Sequence, residues 1–252
     1  MSEYNTQPVK TVSEGLKRKR KKKRKSAFKK WFSRFLLLSL LIGIIFGLYK
    51  LDQSTLFRVS AITVSNNHVM SDHEIIDALD IEINDRLWLI YDWFNKDKLH
   101  AFASIEDFSF KKQDNVLMIS VSEVAVVGFD QEQLWLENGA HTPITSFNEH
   151  YLQKVPMISG FNEEELSKRL GESLALLQTE ILMIISNVHQ VETSYDQAQL
   201  WLLLHDQKQV FSDFRSLELL NNYPLFVDQI APENDCIYLD YASRSARSSP
   251  CE

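Results

Sequence analysis

The chain has few of the residues on which most enzyme sites depend. Its seven glycines leave little for a phosphate-binding loop, and no Walker A, dinucleotide, Gly-x-Ser-x-Gly or His-Glu-x-x-His motif occurs. The seven histidines are scattered, and although His68 and His73 lie five residues apart, no cysteine or carboxylate cluster completes a metal site. The sequence therefore predicts no catalytic residue, no metal ligand and no cofactor.

Cysteine is scarcer still, since only Cys236 and Cys251 are present. The two could pair in an oxidising compartment, but Cys251 lies in a Ser/Arg-rich segment with no pattern of regular structure. We expect residues 243–252 to form a disordered tail. A structural disulfide is the less favoured outcome, and the sequence leaves the pairing open.

Charge is divided unequally along the chain. Residues 1–34 hold 13 basic and two acidic residues, a net charge of +11, whereas the remainder holds 14 basic and 32 acidic residues, a net charge of −18. The basic part contains an unbroken Lys/Arg run at 17–25. Next to an apolar segment, this run favours contact with anionic membrane lipids over nucleic-acid binding. We expect residues 1–30 to be a disordered, basic, cytoplasmic tail.

Charged residues are absent from Phe35 to Tyr49. A helix counted from Trp31 through Tyr49 is about 28 Å long, close to the thickness of a bilayer's hydrocarbon core. The adjacent basic run argues against a buried core helix, and the lack of a small-x-small pattern argues against a cleaved signal peptide. We predict a transmembrane helix over 31–50 in the cell membrane, with the N-terminus cytoplasmic and the acidic C-terminal part outside.

Alternation and capping signals predict a small α+β unit after the anchor. Ser71 and Glu74 have the spacing of a capping box at the start of its first helix. The predicted elements are, in chain order, a strand (57–65), a helix from Ser71, a helix (95–103) and two strands (105–111 and 116–123).

This order of elements resembles a POTRA domain, in particular that of the FtsQ/DivIB family of bacterial cell-division proteins. Later segments are also similar to that family: paired strands at 124–128 and 133–139, Val155–Gly160, a helix over 163–178, three strands between 188 and 211, and a closing strand over 236–241. The family's glycine turns are replaced at Asn66–Asn67 and Asp206–Lys208 by other residues that can form turns.

The resemblance implies an α+β fold with a single N-terminal transmembrane helix, a POTRA domain (β-α-α-β-β) over 55–124, and a mixed β-sheet domain with helices over 125–242. It also implies a non-enzymatic bitopic scaffold of the divisome, which binds and stabilises division proteins at the septum during septal cell-wall synthesis. Its partners would be small bitopic coiled-coil proteins of the FtsL and FtsB/DivIC type and, through them, the septal peptidoglycan synthase.

In this family a partner adds a strand to the edge of the last strand. The resemblance therefore places the partner site on Cys236, Ile237, Tyr238, Leu239, Asp240, Tyr241 and Ala242. Because nothing after Ala242 has a strand pattern, we expect an unpaired edge there, open to an incoming peptide. The alternative is an ordinary edge or interior strand.

Two other functions remain as alternatives. One is a membrane-anchored protein that binds cell-wall peptidoglycan, or an enzyme acting on it through an unrecognised site. The other is a nucleic-acid-binding protein acting through residues 17–25. Trp88, Tyr91 and Trp93 would suit a sugar-binding platform, but their packing in a small core is the favoured interpretation.

Overall fold

The computed structural model describes residues 31–161, 163–191 and 199–251. The predicted basic tail at 1–30 lies outside the described residues. The chain divides into two compact units, Met1–Arg58 and Val59–Glu252.

The described part of the first unit is dominated by one helix, α1 (Trp31–Asp52). It has 22 residues and a mean hydropathy of 2.0, and its side chains are not buried within the protein. By length and composition it can cross a membrane. The predicted anchor is therefore a helix, and it continues two residues beyond the predicted end. A short 3₁₀ turn follows at Thr55–Phe57.

The second unit begins with a three-stranded sheet and two helices. The elements are β1 (Ala61–Ser65), α2 (Asp72–Leu79), α3 (Asp92–Leu99), β2 (Ile105–Gln113) and β3 (Val116–Glu123). The strand order is β1-β3-β2, in which β3 is parallel to β1 and antiparallel to β2. The strand-helix-helix-strand-strand order predicted from the sequence is what the structure contains.

Period-two alternation in β3 explains which face of this sheet is buried. Leu117 and Ile119 point inward and are fully buried, whereas Met118 between them is 39% exposed. The helices cover the inward face with Ile75 and Leu99, which are also fully buried.

The caps and turns of this unit follow the sequence closely. The Ser71 hydroxyl accepts from the Glu74 N–H, and the Glu74 carboxylate accepts from the Ser71 N–H, which completes the predicted capping box. In the two predicted turns, and in the turn between β2 and β3, one residue has left-handed backbone: Asn66, Gln207 and Asp114, respectively. Asn and Asp tolerate this region better than most residues, and so they replace glycine there.

The rest of the unit is a nine-stranded mixed sheet with helices. Its strands are β4 (Val126–Phe129), β5 (Gln133–Leu136), β6 (His141–Pro143), β7 (Met157–Ser159), β8 (Ile185–Val191), β9 (Gln199–Leu204), β10 (Gln209–Asp213), β11 (Cys236–Asp240) and β12 (Ser245–Ser249). Its helices are α4 (Glu164–Leu174), α5 (Thr179–Ile184) and α6 (Tyr223–Phe226). The strand order is β12-β11-β10-β9-β8-β7-β4-β5-β6.

Helix α4 packs against this sheet through a backbone contact. A side-chain carbon added at Gly171 would lie 2.7 Å from the Leu136 carbonyl oxygen and 2.8 Å from that of Glu137. Only glycine allows the helix to come this close. Leu170 and Leu174, on the same side of α4, are fully buried in the core of this sheet.

The two sheets meet at the loop between β1 and α2. The Glu123 carboxylate, at the end of β3, accepts hydrogen bonds from the backbone N–H groups of His68, Val69 and Met70 at 2.5, 2.8 and 2.9 Å. On the other side of the loop, the buried Asn148 amide donates to the Val69 carbonyl at 3.1 Å. The loop is therefore fastened to both sheets.

The C-terminal segment differs from the prediction. Residues 245–249 form β12 instead of a disordered tail, and Cys236 and Cys251 form a disulfide bond with a Cα–Cα distance of 5.1 Å. The segment lacks the apolar alternation of a strand. It is ordered by backbone pairing with β11 and by the disulfide, and composition reveals neither.

Candidate functional site

The predicted partner strand exists, but it is not at the sheet edge. Cys236–Asp240 form β11, whereas Tyr241 and Ala242 lie in the turn that follows. One side of β11 pairs in parallel with β10, and the other pairs antiparallel with β12 along its whole length. The expectation of an unpaired β11 edge was therefore wrong. The outer edge of the sheet belongs to β12.

Asp240 organises the turn that brings β12 back along β11. Its carboxylate accepts from the Ser243 hydroxyl at 2.7 Å and from the Ala242 N–H at 2.9 Å. These hydrogen bonds, the one from Ser243 first, hold the pKa of Asp240 below its usual value. Arg244 completes the turn with φ of 48°, in the left-handed region. Asp240, predicted as part of the partner site, is the residue that fixes the hairpin.

The two faces of β11 have different environments. Ile237 and Leu239 point into the core and are buried, while Tyr238 is 42% exposed on the opposite face. This alternation divides the strand into a core face and an outward face. Cys236 is buried through its bond to Cys251.

Tyr238 belongs to a row of side chains that crosses five strands on the outward face. Direct cross-strand pairing aligns His189 with Trp201, Trp201 with Phe211, Phe211 with Tyr238 and Tyr238 with Arg247. The Phe211 and Tyr238 rings stack at 5.2 Å between centroids, and the His189 and Trp201 rings meet edge-on at 6.5 Å. We call these five residues the outward row. Directly opposed side chains of this kind stabilise neighbouring strands and form a continuous surface.

A hollow of about 270 Å³ lies beside the outermost strand. Its lining includes Phe226, Ile230, Ile237, Ala246 and Ser248. A strand added to the outer edge of β12 would have the hollow and the outward row as available surfaces for its alternating side chains.

The sequence contains one signal that could have revealed this hairpin. Asp240 is followed at two and three residues by Ala242 and Ser243, the spacing at which an aspartate carboxylate caps a turn. The aromatic members of the outward row were not predicted as a group, because only strand register brings them together. Among the described residues, no group of three or more His, Cys, Asp or Glu side chains is placed to hold a metal ion.

Comparison with known proteins identifies proteins that are similar to this chain. No family model matches the chain. The cell division protein DivIB of Erysipelothrix rhusiopathiae is 26% identical over 201 residues, covering 77% of this chain and 74% of that protein. DivIB of Solibacillus silvestris is 28% identical, covering 70% of this chain and 62% of that protein, and DivIB of Bacillus subtilis is 21% identical, covering 76% and 74%. These relatives are all named cell division protein DivIB, which supports the resemblance to the FtsQ/DivIB family.

A solved structure is also similar to this chain. It is the major extracytoplasmic domain of the trans isomer of DivIB from Geobacillus stearothermophilus, at 19% identity and a TM-score of 0.34. The match covers 44% of this chain and 98% of that structure. The α+β class predicted from the sequence is what the described residues show.

The aromatic residues considered for a sugar platform lie on the protein surface. Trp88 is 50% exposed and Trp93 is 69% exposed, and Tyr91 is exposed beside them. The favoured expectation of core packing was wrong. The core of the three-stranded sheet is filled by aliphatic residues of the same segment, such as Leu87 and Ile90, which alternate with the aromatics.

Proposed function

We propose that this chain is a non-enzymatic, bitopic scaffold of the bacterial divisome, which binds other division proteins during septal cell-wall synthesis. Similarity to the DivIB cell division proteins supports a role in cell division. The observation that carries the scaffold role is the C-terminal edge of the nine-stranded sheet. There β12 pairs on one side only, beside the outward row and the hollow. An edge strand of this kind offers backbone N–H and C=O groups to a partner strand.

In the proposed topology, the N-terminus lies in the cytoplasm, helix α1 crosses the cell membrane, and the acidic remainder lies outside. The charge split supports it, because basic residues are retained on the cytoplasmic side of a span. The Cys236–Cys251 disulfide also supports it, since such bonds persist on the oxidising side of the membrane. The basic run at 17–25 contacts anionic lipid on the inner side.

The proposed partners are small bitopic coiled-coil proteins of the FtsL and FtsB/DivIC type and, through them, the septal peptidoglycan synthase. The partner site is the β11–β12 hairpin. It keeps the predicted residues 236–242 and adds β12, which supplies the free edge. A partner strand pairs with β12, while Tyr238 and Arg247 contact its side chains from the outward face.

Imaging tests the function as a whole. A fluorescent fusion of the full chain, expressed in dividing cells of its own species, should concentrate at the septum. Uniform membrane fluorescence would contradict the divisome role. Binding of purified full-length protein to peptidoglycan, with no septal enrichment, would instead support a cell-wall-binding protein.

A matched pair of tyrosines tests the site. Tyr238→Ala should lower affinity for the coiled-coil partners by about 1–3 kcal/mol if Tyr238 is an anchor of the interface. Tyr91→Ala is the control, because Tyr91 is 44% exposed, against 42% for Tyr238, and lies just before α3, outside the nine-stranded sheet. Equal affinity in the two variants, measured by titration in detergent, would remove Tyr238 from the interface.

Two proline variants test the edge itself. Along an edge strand the N–H groups alternate between the ladder and the outside. Of Ala246→Pro and Arg247→Pro, one therefore removes an outward N–H and the other a bond to β11. We expect one variant to lose partner binding while keeping its melting temperature, and the other to loosen the hairpin. Partner binding retained by both would exclude strand addition at β12.

A further inference from the structure

A cluster of large apolar side chains is exposed on the three-stranded sheet unit, far along the chain from the partner edge. Within seven residues, Trp88, Leu89, Tyr91, Trp93 and Phe94 are all exposed, Trp93 by 69% and Phe94 by 62%. The Trp93 and Phe94 rings stack at 3.7 Å, and the Tyr91 and Trp93 centroids are 6.4 Å apart. We call these five residues the aromatic patch. An exposed apolar group of this size indicates an interaction surface.

The patch lies next to the point where the chain enters its folded second unit. Val59, the first residue of that unit, donates its N–H to the Asp85 carbonyl at 2.9 Å and accepts from the Asn84 N–H at 2.8 Å. The patch therefore begins three residues after Asp85, which is hydrogen-bonded to Val59. Val59 is the residue at which the link from α1, here called the tether, ends.

The tether itself is short. Only the six residues 53–58 separate the end of α1 from Val59. A fully extended chain of six residues reaches about 20 Å. In the proposed topology, on which this inference rests, α1 lies in the membrane, so that the link keeps Val59 within about 20 Å of the end of the span.

The chemistry of the patch suits a lipid interface. Trp and Tyr have an apolar ring and a polar group, the combination that concentrates at the headgroup level of membranes. Basic side chains adjoin it: residues 86–98 contain three basic and two acidic residues, within a part of the chain that is otherwise strongly acidic. The Lys112 ammonium lies over the Tyr91 ring, 4.3 Å from its centroid, and Lys111 precedes it on β2.

We propose that the aromatic patch inserts into the headgroup region of the membrane next to α1, and so holds the three-stranded sheet unit against the bilayer. Anionic phospholipid is the favoured lipid, because Lys112 lies over the Tyr91 ring and Lys96 follows Trp93 by three residues on α3. Stacking of a flat sugar is less suited to it, since the Trp93 and Phe94 rings already face each other.

Tryptophan quenching by brominated lipid tests the proposal with the full chain in phospholipid nanodiscs. The chain has five tryptophans. The fluorescence of the patch is therefore obtained by subtracting the fluorescence of the double variant Trp88→Phe/Trp93→Phe from that of the wild type. We expect brominated phosphatidylcholine and phosphatidylglycerol to quench this difference signal, more strongly when phosphatidylglycerol is present. Aqueous acrylamide should quench it less in nanodiscs than in a short-chain detergent.

A second pair of variants separates insertion from simple nearness to the disc. Trp93→Asp/Phe94→Asp should abolish the lipid quenching of Trp88, because two carboxylates expel the patch from the interface. Leu225→Asp, at an exposed leucine of α6, is the control and should leave the quenching unchanged.

Other occupants of the patch would give different results. Protection from acrylamide that depends on the number of chains per disc would assign the patch to a second copy. Protection that appears only on adding peptidoglycan fragments would assign it to glycan. Either result, or a difference signal that bromine does not quench, would overturn the proposal.

Discussion

The two sheets hold their outer strands in different ways. In the three-stranded sheet, the edge strand β1 turns Ile62 and Val64 onto the core. In the nine-stranded sheet, the edge strand β12 has no buried residue, and its residues Ser245, Ala246 and Arg247 are all exposed. One edge is held by burial of apolar area, and the other by a hydrogen-bonded ladder, a capped turn and a disulfide. Loss of β12 should therefore leave the core beneath it almost intact, whereas loss of β1 should not.

The largest expected effect is in the core of the three-stranded sheet. Ile119→Ala should lower the free energy of unfolding by about 2–5 kcal/mol, because Ile119 is fully buried between the two neighbouring strands. Met118→Ala is the matched control in the same strand, where the side chain points outward. Urea denaturation measures both. Similar losses from the two variants would show that burial does not hold this sheet.

Removing the disulfide should destabilise only β12, the outer strand of the nine-stranded sheet. In the chain-entropy description, a bridge across a separation of 15 residues contributes about 3 kcal/mol. Cys251→Ser should therefore reduce amide exchange protection in 245–249 by up to about 100-fold. Ser249→Ala is a control for local disturbance. If protection also falls in β8, β9 and β10, the edge is not independent of the core and the comparison fails.

The junction between the sheets should respond to Glu123→Gln. Glutamine presents a donor where two backbone N–H groups need an acceptor, so the loop at 68–70 should lose about 1.5–3 kcal/mol of stability. Glu106→Gln is the control, since Glu106 is exposed on β2. We expect calorimetry to show a broader or divided transition only for the Glu123 variant. An unchanged transition would mean that Asn148 alone suffices to join the sheets.

The smallest effect is a pH dependence of the hairpin. Because the folded-state pKa of Asp240 is lowered, its contribution is fully present above the unfolded pKa of about 3.9 and is lost as pH falls through the folded value. Exchange protection of β12 should therefore be constant at neutral pH and fall only in acid. Asp240→Asn keeps an acceptor for the Ala242 N–H but cannot titrate, and should flatten this dependence. An unaltered acid profile in that variant would assign it to another group.

How far the sequence predicts the structure also differs between the sheets. In the first sheet, alternation and the Ser71 capping box locate every element to within a few residues, because burial and capping there depend on residues that are close together in the sequence. In the second, the closing strand was predicted over 236–241 from the family resemblance, but β12 was not predicted. Its Ser-Ala-Arg-Ser-Ser composition contains no signal of burial, and its pairing depends on contacts with residues far away in the fold.

The expectation that residues of the aromatic patch pack in the core was wrong for a related reason. The segment from Leu87 to Phe94 is apolar almost throughout, and composition does not tell which of its residues are inside. Only the fold shows that Leu87 and Ile90 fill the core while Trp88 and Trp93 are left outside. The predicted helix at 95–103 was also displaced, since α3 begins at Asp92 and ends at Leu99.

The position of β12 in the chain has a consequence for assembly during synthesis. A ribosome makes this strand after the eight others described in its sheet, and the bridge to Cys236 can close only once Cys251 has been made and oxidised. Until β12 is made, β11 is the outer strand, with a different register and a different set of side chains. Under the proposed strand addition, a partner that recognises β12 therefore selects completed copies, and favours those in which the disulfide holds β12 in place.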